Sequence, residues 1–143
     1  MGIPTGLTWS PRLTTIRPPM STILVVDDRP DARYTLVRVL TNAGFDVRET
    51  ATGRDALRLA RSAPDLIVLD IALQDMDGFE VCRRLKADGV TRGIPVVHKT
   101  AVFSDAEHQR QGLAAGADEY LTEPIEPEVL VSTVRRLLER RSS

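Results

Sequence analysis

The feature that most constrains the fold is a regular alternation of short apolar runs with segments of helical period. Two of the runs, TILVV at 22–26 and LIVLD at 66–70, are continuous and aliphatic, which is typical of strands covered on both faces. Further strand-like runs occur at 45–50, 94–100 and 120–122. Segments with helical spacing of apolar residues follow each run, and the last two cover 105–115 and 126–141. The alternation predicts an α/β domain with a parallel sheet, helices on both faces and right-handed crossovers.

The first twenty residues do not share this pattern. Residues 1–20 contain four of the nine prolines and show neither a helical nor a strand period. We expect them to form a flexible or extended N-terminal extension. The folded domain is then predicted to cover 21–143.

Composition excludes several classes of function. The 19 basic and 20 acidic residues give a net charge of −1, so no strong field would attract nucleic acid or an anionic membrane. Cys82 is the single cysteine, which excludes an internal disulfide and a cysteine metal cluster. The chain has neither a secretory signal nor an apolar run of the roughly 18 residues that a membrane span needs. These features predict a cytoplasmic protein that binds neither nucleic acid directly nor a membrane.

Polar side chains stand where the predicted strands end. Asp27 and Asp28 follow the first strand, and Asp70 ends the third. Thr100 ends the fourth strand, and Glu123 lies just beyond the fifth. Ligands of open parallel sheets bind outside the carboxyl ends of the strands, so we expect these residues to form one site.

Three aspartates in one site repel each other unless a cation neutralises them. Mg²⁺ suits such a site, because it takes one or two protein carboxylates, keeps several waters and adds phosphate oxygens. An aspartate beside Mg²⁺ can act as a nucleophile and become an aspartyl-phosphate. The alternative is that the three aspartates only cap turns or helices.

At these positions the chain resembles the receiver domain of two-component response regulators. The resemblance rests on ILVVDD, DLIVLDIALQDMDGFEVCRRLK, the pair Thr100-Ala101 and GADEYLTEP, and it covers about residues 21–140. It implies a flavodoxin-like, doubly wound sheet of five parallel strands in the order 2-1-3-4-5, with helices on both faces.

The resemblance also implies a role for each edge residue. Asp70 would be the phosphoacceptor, Thr100 the switch hydroxyl and Tyr120 the switch aromatic. Mg²⁺ would be held by Asp27, Asp28, Asp70 and the backbone carbonyl of Ala72.

As a receiver, the chain would be a signalling module rather than an enzyme. A sensor histidine kinase or a phosphotransfer protein would supply the phosphoryl group. The surface formed by the fourth predicted helix, the fifth strand and the fifth predicted helix would then act on a downstream protein, or on a fused output or kinase module. The same surface is the candidate for a homodimer contact.

One residue departs from the family pattern. Receivers normally carry lysine where this chain has Glu123, and the acid places a negative charge near the expected phosphoryl group. This favours an alternative, a pseudo-receiver that signals by docking without phosphorylation. Lys99 could replace the missing cation, but side chains alternate along a strand. If Thr100 faces the site, Lys99 is predicted to point away from it.

Two enzyme-like or nucleotide-binding alternatives fit poorly. A phosphatase of the haloacid dehalogenase type would need a second aspartate two residues after Asp70, where Ala72 stands. A flavodoxin or nucleotide-binding protein would need a phosphate-cradling loop after the first strand, where this chain has the acidic DDRPD.

Overall fold

Five parallel strands form one sheet in the part of the chain that the structure, a computed structural model, describes: residues 20–100, 107, 110–111 and 114–142. The strands are β1 (Thr22–Val26), β2 (Asp46–Thr50), β3 (Leu66–Asp70), β4 (Val96–Thr100) and β5 (Glu119–Thr122). Their order is β2-β1-β3-β4-β5, which confirms the predicted topology. The predicted extension lies outside the described residues, apart from Met20.

Four helices lie entirely within the described residues: α1 (Pro30–Asn42), α2 (Gly53–Ala60), α3 (Gly78–Ala87) and α4 (Pro127–Ser142). Helix α4 begins one residue after its predicted start at 126, and the side chain of Asp77 caps α3 by accepting a hydrogen bond from Phe79 N–H. Helix α2 ends three residues before Ala63, whose φ of 60° is incompatible with a helix. Of the helix predicted over 105–115, residues 107, 110, 111 and 114 are helical and residue 115 is in a turn, while the other positions lie outside the described residues. None of the described helices is long and apolar enough to cross a membrane.

Each face of the sheet has its own hydrophobic core. One core packs alternate strand residues, such as Val26 and Leu69, against α2 and α3. The other packs the intervening residues, including Val25 and Val68, against α1 and α4. Because both faces of the sheet are covered, both sets of alternating side chains are buried, which explains the continuous apolar runs in the sequence. The edge strands β2 and β5 are exceptions, because their sequences DVRET and EYLT include polar residues.

Candidate functional site

Four charged residues continue one face of the sheet beyond its hydrophobic core. This is the face covered by α1 and α4, whose core includes Val25, Val68 and Val97, with Leu121 packed against it. Alternate residues of a strand point to the same face. The side chains that extend this face at the carboxyl edge therefore belong to the residues two positions further on: Asp27, Asp70, Lys99 and Glu123.

Three carboxylates meet at this edge, as the sequence predicts. Asp27, Asp28 and Asp70 each offer an oxygen, and these oxygens lie within 4.8 Å of one another. Asp27 and Asp70 are buried, and Asp70 Oδ1 has no hydrogen-bond partner among the described residues. Buried carboxylate oxygens that lack donors are suitable ligands for a hard cation. This donor set therefore fits Mg²⁺.

Asp70 is the carboxyl group most affected by its surroundings. The pKa of Asp70 is raised to about 6, chiefly by burial and also by the nearby charge of Asp27, against the lowering effect of Lys99 and of a hydrogen bond from Ala72 N–H. A cation bound beside Asp70 would favour the ionised carboxylate, which is the nucleophilic form. The hydrogen bond from Ala72 N–H to Asp70 places the loop after β3 against the site. The role of the Ala72 carbonyl as a ligand of Mg²⁺ stays a prediction.

The predicted orientation of Lys99 is wrong. Its side chain is fully buried and turns toward the acidic cluster, with Nζ 2.6 Å from Asp27 Oδ2 and 3.1 Å from Glu123 Oε2. The reason is the register between strands, which pairs Lys99 with Asp70. Paired residues of neighbouring strands project to the same face, so alternation has to be counted from Asp70 and not from Thr100. Alternation within β4 could not reveal this position, because it does not relate the faces of two neighbouring strands.

Glu123 does not add a fourth uncompensated acid to the cluster. Besides the contact with Lys99, its Oε1 accepts a hydrogen bond from Arg29 Nη2 at 2.9 Å. The Glu123–Pro124 peptide bond is cis. Glu123 is thus neutralised by two cations, one buried and one at the surface.

Thr100 and Tyr120 belong to the opposite face of the sheet. Thr100 is buried at the end of β4, two residues after His98. His98 pairs in register with Tyr120, and their rings meet edge-on with centroids 6.5 Å apart. The Phe79 ring packs on the His98 ring from another side at 5.2 Å. Sequence reasoning missed His98, whose ring packs against the predicted switch aromatic Tyr120.

The start of α3 packs directly under the phosphoacceptor candidate. A Cβ on Gly78 would lie 2.3 Å from the backbone oxygen of Asp70 and 2.7 Å from Ile71 Cα. Gly78 N–H also donates to the carbonyl of Ile71 at 2.8 Å. Only glycine allows this close approach, which holds the loop of residues 71–77 over the end of β3.

We expect Gly78→Ala to lower the free energy of unfolding by about 1–3 kcal/mol, because a methyl group would collide with rigid backbone. Gly89→Ala is the matched control, since a Cβ there would meet nothing within 4 Å. Its effect should stay within about 0.5 kcal/mol. Urea unfolding followed by circular dichroism measures both, and equal midpoints for the two variants would contradict the expectation.

Comparison with known proteins identifies the family. A family model described as a response regulator receiver domain matches residues 23–135. The chain is 41% identical over 122 residues to the DNA-binding dual master transcriptional regulator RpaA of Synechocystis, a match covering 85% of this chain and 50% of RpaA. The chain therefore spans about half the length of this curated relative.

Solved structures agree with this result. Chemotaxis protein CheY4 of Vibrio cholerae superposes with a TM-score of 0.77 at 32% identity, covering 83% of this chain and 99% of CheY4. The signal receiver domain of a signal transduction histidine kinase from Syntrophus aciditrophicus gives 0.76 at 37% identity, covering 83% and 90%. Both sequence and structure thus lead to one conclusion: this chain belongs to the receiver domains of response regulators, the signalling modules of two-component systems.

Proposed function

We propose that Asp70 accepts a phosphoryl group and that this modification switches the domain. The observation that carries the proposal is the position of Asp70. It is a buried carboxylate with an unpartnered oxygen, within 4.8 Å of two further aspartates at the carboxyl edge of the sheet. A buried, clustered carboxylate of this kind is a candidate for chemistry rather than for stability.

The residues that would hold Mg²⁺ are Asp27, Asp28, Asp70 and the carbonyl of Ala72. When bound, the ion would offset the charge that gathers on the phosphoryl oxygens during transfer. The free Asp70 oxygen forms a bond to phosphorus while the bond from phosphorus to the donor breaks, and the donor keeps that electron pair. With a phosphohistidine donor, the leaving atom is an imidazole nitrogen.

Readout would follow the residues around Asp70. In this proposal the Thr100 hydroxyl turns toward the new phosphoryl group, and Tyr120 moves into the space beside His98. Tyr120 lies on β5, the edge strand, and Glu119 of this strand forms an ion pair with Arg136 of α4 at 2.7 Å. A change at Tyr120 would therefore reach the surface that includes β5 and α4.

The partners follow from the family and from this surface. Response regulators interact with histidine kinases and with output domains. We assign the donor to a sensor histidine kinase or a phosphotransfer protein. The receiving side is a downstream protein or a fused output or kinase module, and the same surface is the candidate for homodimer formation. The non-phosphorylated alternative loses its main support, because Glu123 is already paired with Lys99 and Arg29.

The test is a mass measurement on the intact protein. We expect incubation with Mg²⁺ and acetyl phosphate or phosphoramidate to add the mass of one phosphoryl group. EDTA should prevent the addition, because the acidic cluster would then lack its cation. If no adduct forms, even with a cognate phosphorylated kinase, the proposed function is wrong.

A further inference from the structure

A buried ammonium group stands beside the proposed phosphorylation site. Lys99 is the only lysine or arginine that is fully buried among residues 20–100 and the described residues beyond them. Burying an ammonium group costs several kcal/mol unless it is well paired, so such a residue calls for an explanation. Its contacts are two carboxylates of the site, one from β1 and one from the end of β5.

We propose that Lys99 is the cation that pairs with the phosphoryl group on Asp70, and that Glu123 is the positioning residue that holds its ammonium group there. The inference rests on the proposed function. In this proposal the counter-ion of the phosphoryl group is a residue of β4, and Glu123 holds that residue in position.

The register between β3 and β4 places Lys99 beside Asp70, as the proposed pairing with the phosphoryl group requires. Asp70 and Lys99 are direct partners on neighbouring strands, so their side chains leave the sheet on the same face. The Lys99 side chain reaches Asp27, whose carboxylate belongs to the cluster with Asp70. The flexible stem of a lysine allows Nζ to move between neighbouring oxygens without any movement of the strand.

The balance of charge makes a second, internal cation necessary. A phosphoryl group replaces one negative charge on Asp70 by nearly two, next to Asp27, Asp28 and Glu123. A single Mg²⁺ cannot neutralise this group of charges. Lys99 is already desolvated, so pairing with the phosphoryl oxygens requires no new burial of its charge.

The other nearby cations are less suited to this task. Arg29 contacts Glu123 at 2.9 Å, but its side chain is 44% exposed and lies at the mouth of the site. Lys86 is on α3, where Nζ donates to the carbonyl of Ile94 at 2.7 Å and contacts Asp118 at 3.3 Å. These contacts involve residues just before β4 and β5, at the end of the sheet opposite the carboxyl edge.

The chain offers a direct test, because Lys86 and Lys99 are its only lysines. Protein labelled with ¹⁵N and ¹³C only in lysine gives two sets of side-chain signals, and a Lys86→Arg variant assigns them. The probe is beryllofluoride, a phosphoryl mimic, added after Mg²⁺. We expect the Lys99 Nζ and Cε signals to shift on addition of beryllofluoride, while the Lys86 signals stay in place.

Variants test the same point by affinity. Lys99→Met should weaken beryllofluoride binding by about tenfold or more, which is the size expected for a lost charge-assisted hydrogen bond, without weakening the binding of Mg²⁺ alone. Lys86→Met is the matched control and should leave both affinities unchanged. If Lys99→Met does not fold, Lys99→Met combined with Glu123→Lys retains one ammonium group in the site, and this double variant should bind beryllofluoride.

Each outcome has a clear meaning. If ¹⁹F signals report bound beryllofluoride while the Lys99 signals do not change, the proposal is overturned and the proposed function survives. Loss of Mg²⁺ binding in Lys99→Met would mean that Lys99 only maintains the acidic cluster, which also overturns it. If the wild-type protein binds no beryllofluoride, the proposed function itself fails.

Discussion

Asp70→Asn should abolish the phosphoryl adduct, with at least a hundredfold drop in adduct yield after treatment with Mg²⁺ and acetyl phosphate. The amide cannot act as the nucleophile. Among the described carboxylates, Asp27 is also buried, but its Oδ2 is already in contact with Lys99 Nζ at 2.6 Å. The substitution also removes a buried charge from a repulsive cluster. The metal-free variant should therefore unfold at a urea concentration no lower than that of the wild type.

Asp65→Asn is the matched control for this result. Asp65 precedes the same strand, β3, at its opposite end, where Oδ2 accepts a hydrogen bond from Thr22 N–H at 2.7 Å. Its substitution should leave the adduct yield within a factor of two, since it cannot contact the carboxyl edge. Intact mass measures both variants. A full adduct on the Asp70→Asn protein would show that the phosphoryl group is attached elsewhere.

Wild-type protein should lose about 3 kcal/mol of stability through His98 alone as the pH falls from 6.5 to 4. Burial lowers the pKa of His98 to about 4, because Nε2 has no hydrogen-bond partner among the described residues and Phe79 covers the ring. The unfolded chain then binds a proton that the folded chain does not. Stability is complete above pH 6.5 and falls by roughly 1.4 kcal/mol per pH unit below it.

A His98→Leu variant should not show this loss. The difference in unfolding free energy between pH 7.5 and pH 4.5, measured by urea unfolding, should be about 2–3 kcal/mol smaller than in the wild type. Asp70 acts in the opposite direction, because its raised pKa makes the fold less stable as the pH rises from about 4 to 6. Asp70 is common to both proteins, so the comparison isolates His98. Identical pH profiles for the two proteins would contradict the assignment.

Much of the fold could be predicted because the strands are short, apolar and separated by clear helix signals. The bounds of β1 and β3 agree with TILVV and LIVLD residue for residue. Helix ends were less predictable, because Ala63 continues the apolar period of α2 while its backbone is left-handed. The spacing of apolar residues predicts which side chains face the core, but it does not predict the residue at which the helix ends.

The sequence by itself determined where the acidic cluster lies. A parallel sheet brings the ends of all its strands to one edge, so Asp27, Asp28 and Asp70 had to meet there. The tertiary structure alone decided that Lys99 belongs to the same site. Alternation relates the faces of residues within one strand, whereas the relation between two strands depends on their hydrogen-bonded register. That register pairs Lys99 with Asp70, and this pairing brings the buried ammonium to the carboxylates.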